Sequence, residues 1–132
     1  KKEKIKKRDM SMHTLKDWLY KNKEEALEIM HKNERYIFFE EYVGEVKGSA
    51  GVNLHPMISI AIDINYHNLG EILLITDIDR KKNFLAIAHD TGAAIKGKNR
   101  IDLFTGYGSD AERLASGLNK KISVNKLHPI VK

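Results

Sequence analysis

Four short stretches rich in β-branched or aromatic residues run through the middle of the chain: RYIFFEEY (35–42), MISIAIDI (57–64), EILLITDI (71–78) and NFLAIAHD (83–90). Turn signals such as Asn68-Gly70 and Asp79-Arg80 separate them, so each reads as a strand. RIDLF (100–104) and ISVNKL (122–127) read as two more. Between those two, SDAERLASGL places Ser109 and Glu112 at capping-box spacing and predicts a short helix. Ahead of the strands the period is helical. MSMHTLKDWL offers Ser11 as a cap, then Leu15, Trp18 and Leu19 along one face. A second helix is expected from Asn22, with Glu25 as its cap-like partner and Ala26, Ile29 and Met30 as its apolar stripe. Helices first, then many strands with one late helix, predict a mainly β, barrel-like domain with flanking helices rather than a βαβ sandwich. The expected organisation is a helical lead-in over residues 1–34 and a β domain over 35–132, together one structural domain.

Composition narrows the chemistry. The 132 residues suffice for one hydrophobic core. With 42% hydrophobic and 31% charged residues the chain reads as globular. No apolar run approaches the roughly 20 residues of a membrane span. The absence of cysteine excludes disulfides, thiol catalysis and most structural zinc sites. A net charge of +5 favours an anionic partner. Much of the excess sits in KKEKIKKR at the start, which reads as a solvated terminus; with no aromatic residues interleaved it gives no case for nucleic acid. His13, His31, His55, His67, His89 and His128 show no metal-ligand spacing, and no serine sits in a nucleophile elbow. No metal and no cofactor are expected. Lys1 in place of an initiating Met reads as a piece of a longer chain.

The stretch HDTGAAIKGKNRIDLF (89–104) contains Gly92-x-x-x-x-Gly97-Lys98, the spacing of a phosphate-binding loop. Such a loop needs Ser or Thr after the lysine and a helix behind it. Asn99 stands at the first position and the β-like RIDLF at the second, so the nucleotide reading fails. The glycines instead allow a sharp turn between two strands. That turn carries Asp90 toward Asp102, twelve residues on. Two acids in one cleft are the raw material of glycoside chemistry, because burial and like charge drive their pKa values apart. Spacing alone favours the plainer role of capping backbone donors in the loop.

The ordered series NERYIFFEE, GSAGVNLHPMISIAID, HDTGAAIKG and RIDLFTGYGSDAERLASGL, with MSMHTLKDWL upstream, resembles the membrane-bound lytic murein transglycosylase A family. The resemblance runs through its C-terminal three-aspartate domain and covers roughly residues 9–130. It implies a double-psi β-barrel, incomplete in this chain alone. It also implies cleavage of the bond between N-acetylmuramic acid and N-acetylglucosamine in peptidoglycan glycan strands. In that reaction the muramyl C6 hydroxyl attacks its own anomeric carbon and leaves a 1,6-anhydro end. An internal nucleophile removes the need for a second catalytic carboxylate. By motif, Asp102 is then the single general acid and base, kept protonated by apolar Ile101, Leu103 and Phe104, and Asp90 is the supporting acid. Asp63 is expected to hold loops in register, Gly92 and Gly97 to shape the cleft floor, and Lys96 and Arg100 to meet acidic substrate groups or solvent. His89 is expected at the surface or in packing, with pairing to Asp90 as the alternative. A complementary N-terminal chain or a strand-exchanged copy would complete the barrel, since unpaired edges associate. The implied location is periplasmic, held at the outer membrane through a part outside this chain. The other reading is a cell-wall glycan-binding module without catalysis.

Overall fold

The computed structural model describes residues 10–34, 38 and 41–130, and the chain divides into two units, Lys1–Glu41 and Tyr42–Lys132. In the first unit, α1 (Met12–Lys21) opens at Ser11, whose extended backbone lets its hydroxyl accept from the Thr14 amide at 3.1 Å. The apolar face predicted for α1 is half-buried: Leu15, Trp18 and Leu19. α2 (Lys23–Met30) follows after one residue. The Asn22–Glu25 cap does not form. With a single linking residue, Asn22 closes α1 instead, its amide nitrogens reaching the Trp18 carbonyl at 2.8 Å (side chain) and 3.0 Å (backbone). Ala26 is buried and Ile29 half-buried, but Met30 is largely exposed, so the stripe is narrower than expected. The strand expected at 35–42 lies mainly outside the described residues, and Phe38, Glu41 and Tyr42 are not in strand.

The second unit is an open, five-stranded mixed sheet with one helix. Its strands are β1 (Ser59–Ile62), β2 (Ile72–Asp77), β3 (Lys82–Thr91), β4 (Asp102–Leu103) and β5 (Ile122–Lys126), in spatial order β4-β1-β3-β2-β5. β2 and β3 form a hairpin whose tip is fixed by Asp77, which accepts from the amides of Asp79 (3.1 Å) and Arg80 (3.0 Å). β1 runs parallel to β3, while β4 and β5 are antiparallel to their neighbours. Cross-strand pairs put Ile60 with Ala88, Leu73 with Ala86, and Ile75 with Val124 on one face, and these with Ile62 are the buried core. Ile101, Leu103 and Ile122 pack against it. β4 is shorter than the expected RIDLF strand, because only Leu103 and Asp102 pair, with Ile60 and Ala61. α3 (Gly108–Ser116) takes Tyr107 as its cap, two residues ahead of Ser109, so the Ser109–Glu112 capping box is replaced by a start with no side-chain cap. Among the described residues the sheet does not close on itself: β4 and β5 are its edges.

One irregularity positions the site. Ile60 pairs with Ala88 in β3, yet the next residue, Ala61, pairs with Asp90, leaving His89 as an extra residue in β3. Side chains alternate faces along a strand, so one inserted residue sends everything after it to the opposite side. In a regular ladder Asp90 would stand opposite Ile62, on the core face. The bulge instead puts it level with Ala61.

Candidate active site

Ala61 pairs with Asp90 on one side of β1 and with Asp102 on the other. Strands lie about 4.8 Å apart, which sets the two aspartates' Cα atoms roughly 10 Å apart, flanking one small residue. Both aspartates line a cavity of ≈ 290 Å³, with Ser59, Ile60, Ala61, Thr91, Ile95 and Leu103 among its walls. Alanine between them leaves the floor open where a larger side chain would fill it.

The two carboxyls have different surroundings. Asp90 is half-buried, and its Oδ1 accepts from both the Ser49 amide (2.9 Å) and the Ser49 hydroxyl (2.7 Å). Burial by itself raises the Asp90 pKa, but the Ser49 hydrogen bonds with that of the Thr91 amide outweigh it and hold Asp90 below the ordinary aspartate range. Asp102 has no such cage. Its side chain is 57% exposed and meets the Arg100 guanidinium, 56% exposed, at 3.0 Å. Among the described residues the apolar burial expected around Asp102 is not formed, because the two-residue β4 is an edge strand that pairs on one side only. Arg100 pairs with that carboxylate.

Asp63 stands apart from this pair, at the end of β1. It is 3% exposed and ties down two loops: Oδ2 accepts from the Gly97 amide (2.8 Å), and Oδ1 from the Asn65 amide (3.1 Å) and side chain (2.8 Å). Those hydrogen bonds, Gly97 first, hold its pKa below the ordinary range against the effect of burial, with the exposed Lys96 adding its charge. The Gly97 amide, which a bound phosphate would need, is thus occupied by the chain's own carboxylate. The same loop is held by His67 Nε2 against the Lys98 carbonyl (2.8 Å) and by Asn99 Oδ1, which accepts from the Val124 amide (3.0 Å). Gly97 has a φ of 104°, in the region that favours glycine. Gly92 does not. It is small for packing, since a Cβ there would lie 2.9 Å from the Ile95 side chain.

Two contributors escaped the reading of the sequence. Ser49, far from Asp90 in sequence, supplies both of its side-chain-to-turn bonds. His89 is half-buried and meets Ser59 rather than Asp90: its Nδ1 lies 2.8 Å from the Ser59 hydroxyl, whose oxygen accepts from the His55 amide at 2.8 Å. The only trace of the first in the sequence is the run of small residues GSAG (48–51), which allows close approach.

Comparison with known proteins places this geometry. The 3D domain model matches residues 58–128, which include all three aspartates, and the MltA specific insert domain model matches residues 1–40. The chain belongs to the lytic murein transglycosylase A family. It is 33% identical over 126 residues to the membrane-bound lytic murein transglycosylase A homolog of Buchnera aphidicola, covering 87% of this chain and 34% of that protein. It is 33% identical to the Vibrio cholerae membrane-bound lytic murein transglycosylase A, covering 81% of this chain and 32% of that protein. The crystal structure of a membrane-bound lytic murein transglycosylase from Agrobacterium tumefaciens superposes with a TM-score of 0.76 at 32% identity, covering 95% of this chain and 37% of that one. Escherichia coli MltA with bound chitohexaose superposes at 0.75 and 27% identity, covering 91% and 38%. The chain thus spans about a third of the length of these family members. Ser49 lies between the two matched family stretches. No helix among the described residues is long and apolar enough to cross a membrane.

Proposed function

We propose that this chain is the catalytic C-terminal portion of a peptidoglycan lytic transglycosylase. It cleaves the β-1,4 bond between N-acetylmuramic acid and N-acetylglucosamine and leaves 1,6-anhydromuramic ends. The reading rests chiefly on one observation: Asp90 and Asp102 flank Ala61 in register and line one cavity. In this mechanism Asp102 gives its proton to the leaving oxygen and then takes the proton of the attacking C6 hydroxyl. Asp90, held as an anion, faces the positive charge that grows on the sugar ring. Asp63 holds the loops, Gly92 and Gly97 shape the floor, and Lys96 meets acidic groups of the glycan strand. An arriving sugar covers Asp102 and displaces Arg100, supplying the desolvation that this chain leaves out. The chitohexaose carried by the Escherichia coli relative is a β-linked amino-sugar polymer of the kind this cleft would take.

The complete barrel is of the double-psi type, closed by a complementary N-terminal segment or an exchanged copy along the open sheet edges. The site of action is the periplasm at the outer membrane, in keeping with the membrane-bound relatives. The test is digestion of purified sacculi with wild-type and Asp102→Asn protein, followed by mass spectrometry. Anhydromuropeptides from the wild type alone support the assignment; their absence from both removes it. One observation favours a second reading, a glycan-binding module: Asp102 is exposed and already paired with Arg100. Sacculus binding by wild type without anhydro product would select it.

A further inference from the structure

The turn at residues 48–51 is built against β3. The Gly48 amide donates to the Val52 carbonyl (3.1 Å), and the Gly51 amide to the Gly48 carbonyl (2.9 Å). The turn docks on the bulge: the Ala50 amide donates to the His89 carbonyl (3.0 Å), and a Cβ on Gly48 would lie 2.3 Å from that same oxygen. Only a residue without a side chain lets the two backbones come this close. The bulge turns Asp90 to the turn's side, where two Ser49 donors converge on a single oxygen, Oδ1.

The direction of the hydroxyl chain follows from counting hydrogens. Ser49 has one hydroxyl hydrogen, and it goes to Asp90. The 2.9 Å contact between the Ser49 and Thr91 hydroxyls must therefore have Thr91 donating. Every hydrogen in the chain points toward Asp90. A proton on Oδ1 would oppose the Ser49 amide, which can only donate, and would force the Ser49 hydroxyl to reverse. The titratable and charged groups around Asp90 do not disturb this: His89 is turned to Ser59, and across β1 Asp102 is paired with Arg100.

From this geometry we infer that Ser49 is a positioning residue, which fixes Asp90 in one rotamer and favours its carboxylate form at the cleft, so that Asp90 serves there as an anion rather than as a proton donor. The catalytic part of this inference rests on the function proposed above; the clamp itself does not.

The experiment is a carbon-13 NMR titration of the aspartate carboxyls in the full chain, comparing wild type with Ser49→Ala and Ser49→Thr. The expected result is an upward move of the Asp90 midpoint in Ser49→Ala, its return in Ser49→Thr, and an unchanged Asp63 as the internal control of folding. An Asp90 midpoint unmoved by Ser49→Ala, with Asp63 intact, overturns the assignment. If Asp63 is disturbed too, Ser49→Cys replaces it, keeping the turn and weakening the donor; an unmoved Asp90 there overturns the assignment equally. On sacculi, Ser49→Ala should lower kcat about tenfold, the worth of one hydrogen bond to a charged group, with KM unchanged. The acid limb of the rate profile should move to higher pH. An unchanged kcat and limb would refute the catalytic part. No anhydro product from wild type at any pH would remove the transglycosylase reading, while the titration still decides the clamp.

Discussion

Gly48 and Arg100 illustrate how unequal single positions are around this cleft. A methyl group on Gly48 would drive into the His89 carbonyl and the Leu54 side chain, at 2.3 and 2.8 Å. Backbone cannot rotate away as a side chain can, so Gly48→Ala is expected to destabilise the fold by about 1–3 kcal/mol, the usual cost of overpacking. A urea-unfolding midpoint measures it. Arg100→Ala is expected to do little to stability, about 0–1 kcal/mol, because its pair with Asp102 is more than half exposed on both sides. Its effect belongs to the cleft: anhydro product formation should change while the thermal midpoint stays. At this scale the sequence was partly legible. The three aspartates stood out by motif, and Asp63 as a loop holder by its place in that motif. Ser49 did not, because a serine 41 residues away in the chain carries no local mark of the carboxylate it will meet.

Among the elements, the strands were read most accurately where both faces are defined. β2 and β3 fell within a residue or two of the apolar runs, since alternating burial along Leu73, Ile75, Ala86 and Ala88 is written in the sequence itself. β4 shrank to two residues because an edge strand keeps only the pairs its neighbour offers. The helix caps at Asn22 and Ser109 failed for a related reason: capping residues compete with nearby backbone carbonyls and alternative starts. The β3 bulge could not be read at all, because nothing in NFLAIAHD marks which residue the partner strand will skip. Ile75→Ala, at the centre of the buried pairs, is expected to cost about 2–5 kcal/mol, measurable by chemical denaturation. Ser11→Ala should cost about 1 kcal/mol of α1, seen as amide-exchange fraying of its first turn.

At the scale of the whole molecule the response to pH is carried, among the described residues, by three acids held low on folding. Asp63 is held below the ordinary range mainly by the Gly97 and Asn65 amides. Burial raises Glu71 and Asp90, but hydrogen bonds from Lys126 and Asn68, and from Ser49 and Thr91, outweigh it and leave both lowered. A carboxyl lowered on folding is protonated first in the unfolded chain. Its contribution is therefore complete above the ordinary range, about pH 4, and is lost as pH falls through the lowered values. Unfolding midpoints should change little from pH 7 to about 5 on account of these groups, then fall below about pH 4. The open edges β4 and β5, with Ile72 and Leu85 half-exposed, predict self-association at high concentration. Light scattering that finds a monomer over a wide concentration range would contradict this.

What the sequence determined by itself was local and periodic: the helical lead-in, the run of short apolar strands, the failure of the phosphate loop and the order of the three aspartates. These follow from side-chain chemistry within a few residues of one another. The tertiary structure alone decided which face Asp90 takes, that Ser49 holds it, and that Asp102 is exposed beside Arg100. The reason is physical. A face, a cage and an exposed flank depend on which strand lies alongside and where its register slips, and pairing across tens of residues is set by packing rather than by neighbours in the chain.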